Sequence, residues 1–301
     1  MRLKIVFILS FVSTLSMAQV HTISTPRFTR SLVERWVEDY RKVAPHVHFQ
    51  ILKGCGCKNE SELSVLPYEK EAEDAGNVIF VARYAILPFT TSGSEAEQIL
   101  NHRKLNSKRM RNIFFEHESY TSEEELTKQE KRQKQLVVYS ANNPASLSEP
   151  FAGFFNEETE NLRGKRIAGD DAFLTAAVLK DPLGVSFSAL SNIFDLESRH
   201  LKNGLSLPLL ETRKELEKGL TDAVSLDSLI QLLELYPAEE VPIGKVGIVF
   251  KKDDKELEDF LSWVLTSGRN LAHNYGLLQI DAQLADSQIT KIQTEYTAQS
   301  E

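Results

Sequence analysis

Residues 77–88 read NVIFVARYAILP, an apolar run broken by a single charge at Arg83 and closed by Pro88. It is too short to cross a bilayer, which takes ~20 apolar residues. It is also too continuous for a strand with one wet face. A strand covered by helices on both faces fits it. Upstream, Thr25-Pro26 reads as an N-cap with proline at the first helical position. Phe28, Leu32, Trp36 and Tyr40, with Val33 and Val37, then recur at helical spacing up to Pro45. Val47, Phe49 and Ile51 alternate with His46, His48 and Gln50, the period of a half-buried strand. Lys53 to Gly76 is polar and reads as helix or loop. Helix, strand, polar segment and buried strand in this order imply right-handed crossovers and a parallel sheet.

Downstream, Ser94 to Arg111 is patterned as a helix, and Ser122 to Gln135 is charged enough for a solvated helix or loop. Leu136 to Tyr139 is a second buried strand. Ser140 to Pro150 forms a loop feeding a helix marked by Phe151, Phe154 and Phe155. Asp170-Asp171 opens another helix through Phe173, Leu174, Ala177 and Val178. Gly184 to Leu190 reads as a strand, Leu226 to Tyr236 as a helix and Lys245 to Lys251 as a third buried strand. A helix from Lys255 stops at Gly268, and the polar tail after Ala282 is expected to fray. There is no internal repeat.

At 301 residues, 42% hydrophobic and 26% charged, the chain can bury a sizeable core. A net charge of −8 excludes the basic footprint of a nucleic-acid or acidic-lipid binder. The N-terminus carries Arg2 and Lys4, an apolar run from Ile5 to Leu15, and Ser16-Met17-Ala18 with small residues where a signal peptidase reads. Residues 1–18 are therefore expected to be a cleaved signal peptide, and the mature protein to be periplasmic or secreted. No cysteine follows the cleavage point to carry a lipid. The only two cysteines form Cys55-Gly56-Cys57, open to a strained bridge, two idle thiols or a soft-metal pair.

Three features bear on chemistry. Ser24-Thr25-Pro26 and the Ser140-to-Ser146 loop each precede a helix, where unpaired N–H groups and hydroxyls can cradle an anion or simply cap the helix. Arg83, inside the apolar strand, must reach an edge, meet a carboxylate or face a ligand. Signatures of serine hydrolases, zinc proteases and nucleotide-binding loops are absent from the sequence, and Asp170-Asp171 reads as dipole-complementing. No catalytic residues, metal ligands or cofactor are expected, so the chain reads as a non-enzyme.

With these residues in view, the chain resembles the type-2 periplasmic substrate-binding proteins, most of all the phosphate-binding, PstS-like branch of ABC uptake systems. The likeness rests on Ser24-Thr25 before the helix with Trp36 and Tyr40, on Val81-Ala82-Arg83 and on the Tyr139-to-Phe155 loop and helix. It also rests on Gly184-Val185-Ser186-Phe187 and on the closing strand and helix ending at Tyr275-Gly276. The resemblance implies two α/β lobes, each a mainly parallel sheet flanked by helices. Residues 19–87 plus 244–301 would form the first lobe and 88–243 the second. It implies that Ser24, Thr25, Arg83, Ser140 and Ser146 hold a small oxyanion, phosphate first, in the cleft of a monomer that serves a membrane permease. The sequence departs from the family pattern twice. Gly54-Cys55-Gly56-Cys57 replaces its glycine-serine turn, and two Asn and a Pro within 140–146 replace an arginine with Ser-Gly-Thr, removing a positive charge. The alternative is a two-lobed scaffold that has lost its ligand and serves protein interaction in the cell envelope, with a serine hydrolase third.

Overall fold

The apolar run is a strand, but it passes straight through Pro88 and continues to Thr91. The computed structural model describes residues 19–52, 61–68, 77–116, 127–143, 146–169, 171–220, 223–236, 239–250 and 254–297. Residues 1–18, Cys55 and Cys57 lie outside these, and with them the expected leader and the thiol pair. The first part of the chain is β1 (Val20–Ser24), α1 (Arg27–Val43), β2 (His48–Ile51), β3 (Leu63–Tyr68) and β4 (Val78–Thr91). The middle comprises α2 (Glu95–Asn101), α3 (Ser107–Phe114), α4 (Lys128–Lys134), β5 (Val137–Asn142), α5 (Ser148–Phe154), β6 (Lys165–Ala168), α6 (Ala172–Val178) and β7 (Gly184–Ala189). Then follow α7 (Leu190–Ile193), β8 (Leu205–Ser206), α8 (Lys214–Gly219), α9 (Leu226–Leu235), β9 (Ile243–Phe250), α10 (Lys255–Thr266) and α11 (Ala282–Thr297).

The strands run in the order β2-β1-β3-β9-β4-β7-β5-β6, with β8 added on β4. β4 is the spine. It pairs with β9 up to Ala85 and with β7 from Ile86 onward, so one strand passes from one part of the sheet into the other. Pro88 lies between Ala85, the last residue paired with β9, and Thr90, the first paired with β8. One flank of the strand has no partner there, and a missing N–H costs no ladder bond. The expected parallel ladders exist at both outer ends, β1 with β2 and β3, and β5 with β6 and β7. Every ladder of β4, and that of β3 with β9, is antiparallel, which makes the centre of the sheet mixed.

Four strands escape the sequence reading, the short β6 and β8 and the longer β1 and β3. β1 contains His21 and Thr22, whose polarity hides the strand until their partners are known. β3 lies inside the polar 53–76 stretch and buries Leu63 and Val65. The helix read over Ser94 to Arg111 is broken into α2 and α3. The Asn106 side chain accepts the Arg109 N–H to start α3, and the buried Arg109 guanidinium donates to the carbonyls of Ile99 and Leu100 that end α2. The tail does not fray after Ala282 but forms α11, where Gln288 brackets Phe80. Its Nε2 donates to the Phe80 carbonyl and its Oε1 accepts the Phe80 N–H.

Two aromatic clusters hold the helices to the sheet. Trp36 and Tyr40 of α1 are buried, the indole donating to the Gly268 carbonyl and the Tyr40 ring meeting Phe260 edge-on. On the other side of β4, Phe151 of α5 stacks on Phe187 of β7 at 3.7 Å, with Phe114 against both edges. Each such ring contributes roughly 1.5–3 kcal/mol through burial. Among the described residues no helix is long and apolar enough to cross a membrane.

Candidate functional site

A cavity of about 1000 Å³ opens between the end of β3 and the β5–α5 segment. Leu66, Pro67 and Tyr68 form one wall. The facing wall carries Ser140, Asn142, Asn143, Ser146 and Ser148, followed by the turn from Glu157 to Glu160 and by Arg166 of β6. This is the geometry expected of an α/β sheet, where side chains beyond the carboxyl ends of parallel strands border an open crevice.

β5 ends at Asn142, and α5 begins six residues later at Ser148. Its N-cap is Leu147, whose apolar side chain accepts no hydrogen bond, so no serine of the loop holds the capping position. Instead Ser146 Oγ accepts the Ser148 N–H at 3.3 Å, and Ser148 Oγ donates to the Ala141 carbonyl at 2.8 Å. The Leu147 N–H donates to a carboxylate of the protein itself, Asp171 Oδ2, at 3.1 Å. A backbone donor that an anion could use is thus already engaged. Among the described residues the lining contains Glu149, Glu157, Glu158 and Glu160 against one cation, Arg166, whose guanidinium donates to the Thr159 carbonyl at 2.8 Å. The Glu160 carboxyl is held below the usual range by its own backbone N–H, then by the Thr159 hydroxyl, with a smaller effect of Arg166. The Tyr139 hydroxyl is pushed up by burial and by its hydrogen bond to Asp181. The wall is acidic, and it offers hydroxyls, amides and one guanidinium.

The five residues expected to hold a ligand do not come together. Ser140 and Ser146 line the cavity. Ser24 and Thr25 do not, although all four are buried. Ser24 Oγ lies 2.9 Å from Ser61 Oγ and 3.2 Å from Ser64 Oγ. Thr25 Oγ1 lies 2.8 Å from Thr29 Oγ1. Nor is Thr25 the N-cap of α1; that position belongs to Pro26, and the helix starts at Arg27. Arg83 is absent from the lining as well. Its Nε donates to the Gln279 carbonyl at 2.8 Å, and its backbone exchanges two hydrogen bonds with Leu278, so it fastens β4 to the segment before α11. Sequence reasoning missed Ser148 and Arg166. The available signals were the serine at the start of the phenylalanine helix and the glycines Gly164 and Gly169, both at positive φ, that bracket β6.

No family model matches the chain, and no curated protein matches it. Solved structures do. A Clostridium perfringens protein assigned as a phosphate ABC transporter substrate-binding protein, solved with bound phosphate, is 14% identical. It covers 87% of this chain and all of its own length, with a TM-score of 0.60. An ABC-type phosphate transport receptor from Vibrio cholerae is 12% identical over 87% of this chain and all of its own, with a TM-score of 0.57. The CcmR regulatory domain of Synechocystis PCC6803 in complex with 2-PG is 9% identical over 84% of this chain and 98% of its own, with a TM-score of 0.51. One architecture thus serves both receptors and regulatory domains, and function has to be argued from the site. With its strand order, its crossover strand β4 and these neighbours, the chain has the two-lobed α/β fold of the type-2 periplasmic binding proteins.

Proposed function

We propose that the protein is an extracytoplasmic solute-binding protein that takes a small oxyanion, phosphate first, into the cavity between β3 and the β5–α5 segment and delivers it to a membrane permease. The observation that carries this reading is the cavity itself, walled by β3 on one side and by three serines and Arg166 on the other. Hydroxyl and guanidinium donors suit a tetrahedral oxyanion, and the carboxylates on the same wall suit one that is still protonated and can donate in return. The lobes divide near 87 and 244, a reading supported by β4 changing partner between Ala85 and Ile86 and by β9 starting at Ile243. Residues 1–18 act as the signal that exports the chain.

Calorimetric titration of phosphate-free protein tests the proposal. Phosphate should bind with one-to-one stoichiometry, and Arg166→Ala and Ser140→Ala should each weaken it at least tenfold, about 1.4 kcal/mol. Sulfate, which has no proton to give the carboxylates, should bind more weakly. A second reading is favoured by Asp171 occupying the Leu147 N–H, by the Ser24 hydroxyl bonding Ser61 and by the Thr25 hydroxyl bonding Thr29. In that reading the protein is a scaffold of the same fold without a small ligand. The absence of both binding heat and a melting shift with phosphate, sulfate, molybdate and tungstate would establish it. A ligand at 100 times its Kd should add about 2.7 kcal/mol of stability.

A further inference from the structure

His21, in β1, is fully buried, yet both of its ring nitrogens face carboxylates. Nε2 lies 3.0 Å from Glu256 Oε2, and Nδ1 lies 3.2 Å from Glu62 Oε2 and 3.8 Å from Asp254 Oδ2. The residues come from three segments far apart in sequence: β1, the entry to β3, and the start of α10. A neutral imidazole has one N–H. When Nε2 carries it toward Glu256, the Nδ1 lone pair points at two anionic oxygens, and a positive charge must sit between them. A second proton or a metal cation can supply it.

The ligand geometry favours a metal. The donor atoms of His21, Glu62 and Asp254 all lie within 4.8 Å of one another. Zinc takes imidazole nitrogen and carboxylate oxygen at about 2.0–2.2 Å in tetrahedral sites, which sets neighbouring ligands about 3.3 Å apart. A metal-binding histidine is usually oriented by a carboxylate on its other nitrogen, the position Glu256 holds here. The carboxylates are also held in place. Glu62 Oε2 accepts the Thr22 N–H at 3.0 Å, and Asp254 uses Oδ1 to cap the Glu256 and Leu257 N–H groups, leaving Oδ2 toward His21. The positive end of α10 opposes a cation, but three carboxylates outweigh its half charge. The nearby Lys255 ammonium is turned to Asp259, 3.0 Å away.

We propose that His21, Glu62 and Asp254 bind one divalent transition-metal cation of the zinc class, with Glu256 as a positioning residue. The ion clips β1 and the start of β3 to α10, independently of the cavity. An ion with a borderline preference fits one nitrogen and two oxygens better than Ca2+ or Mg2+, which take oxygen throughout.

The test titrates the full chain, stripped by a chelator, with ZnCl2 in calorimetry and thermal melts, and follows Co2+ by its visible d–d absorption. One equivalent of Zn2+ should bind and raise Tm, and Co2+ should give the intense band of a four-coordinate site. His21→Gln, Glu62→Gln and Asp254→Asn should each lower affinity at least tenfold. Asp254→Asn retains an oxygen to cap α10, so it reports on the site even if the His21 variant does not fold. Absence of a Zn2+-dependent rise in Tm, or a rise that persists in Glu62→Gln and Asp254→Asn, would overturn the proposal and leave His21 as a buried ring hydrogen-bonded to Glu62 and Glu256.

Discussion

The turn from β1 to α1 carries Ser24 and Thr25, the turn from β5 to α5 carries Ser146 and Ser148, and both lead from a parallel strand into a helix. In the first, the hydroxyls are buried and spend their bonds on Ser61, Ser64 and Thr29. In the second, the hydroxyls are buried as well, but they bond the turn's own backbone and line the cavity. Equivalent positions in the fold therefore differ in what they can offer a ligand. A hydroxyl at a strand-to-helix turn can face a ligand only when its side-chain neighbours leave it on a cavity wall. At the first turn, Ser61 and Ser64 from the β3 side lie over Ser24, and Thr29 of α1 lies over Thr25.

The comparison can be broken most forcefully at Gly164, which holds a left-handed φ of 88° beside β6. A Cβ there would sit 2.2 Å from the Val138 carbonyl oxygen, and backbone cannot move aside cheaply. Gly164→Ala is expected to cost about 3 kcal/mol in urea unfolding and to abolish ligand binding by displacing Arg166. A cost under 1 kcal/mol would mean that the β5–β6 wall is less rigid than its geometry implies.

Asp171→Ala comes next. It removes a buried acceptor of the Leu147 N–H and should lower stability by about 2 kcal/mol. The same substitution frees that N–H and deletes a negative charge, so phosphate should bind several times more tightly. Unchanged affinity would show that the second turn takes no part in anion capture.

Ser148→Ala and Ser64→Ala form the sharpest pair. Each loses a buried hydroxyl hydrogen bond and should cost about 1 kcal/mol. Only Ser148→Ala should also weaken phosphate in titration; equal effects on affinity would erase the distinction between the turns.

The smallest effect is expected at Arg83. Loss of its bond to the Gln279 carbonyl should cost about 1 kcal/mol or less, with phosphate affinity within twofold of the parent. A tenfold loss in that titration would return Arg83 to the site.

Much of the fold was legible because burial leaves a periodic trace. The 77–88 run, the i+4 spacing from Phe28 to Tyr40 and the apolar Lys245-to-Lys251 segment each state how much of an element faces the core. β1 and β3 were not legible. Their inward positions include His21, Ser24 and Ser64, residues that read as exposed until Glu62, Glu256 and Ser61 arrive from elsewhere in the chain. Of the candidate site, Ser140 and Ser146 were found through their place after a buried strand. Arg166 was not, since its strand has only four residues and no buried apolar face.

The sequence alone therefore determined the strands and helices whose buried faces are apolar, because apolar spacing is a local property, while the two-lobed class followed from the resemblance those elements carry. Only the tertiary structure decided which hydroxyls line the cavity, that the Arg83 Nε donates to a carbonyl, and that His21 sits among three carboxylates. Hydrogen bonds and charges are settled by partners brought together across tens to hundreds of residues, and no local pattern encodes those distances.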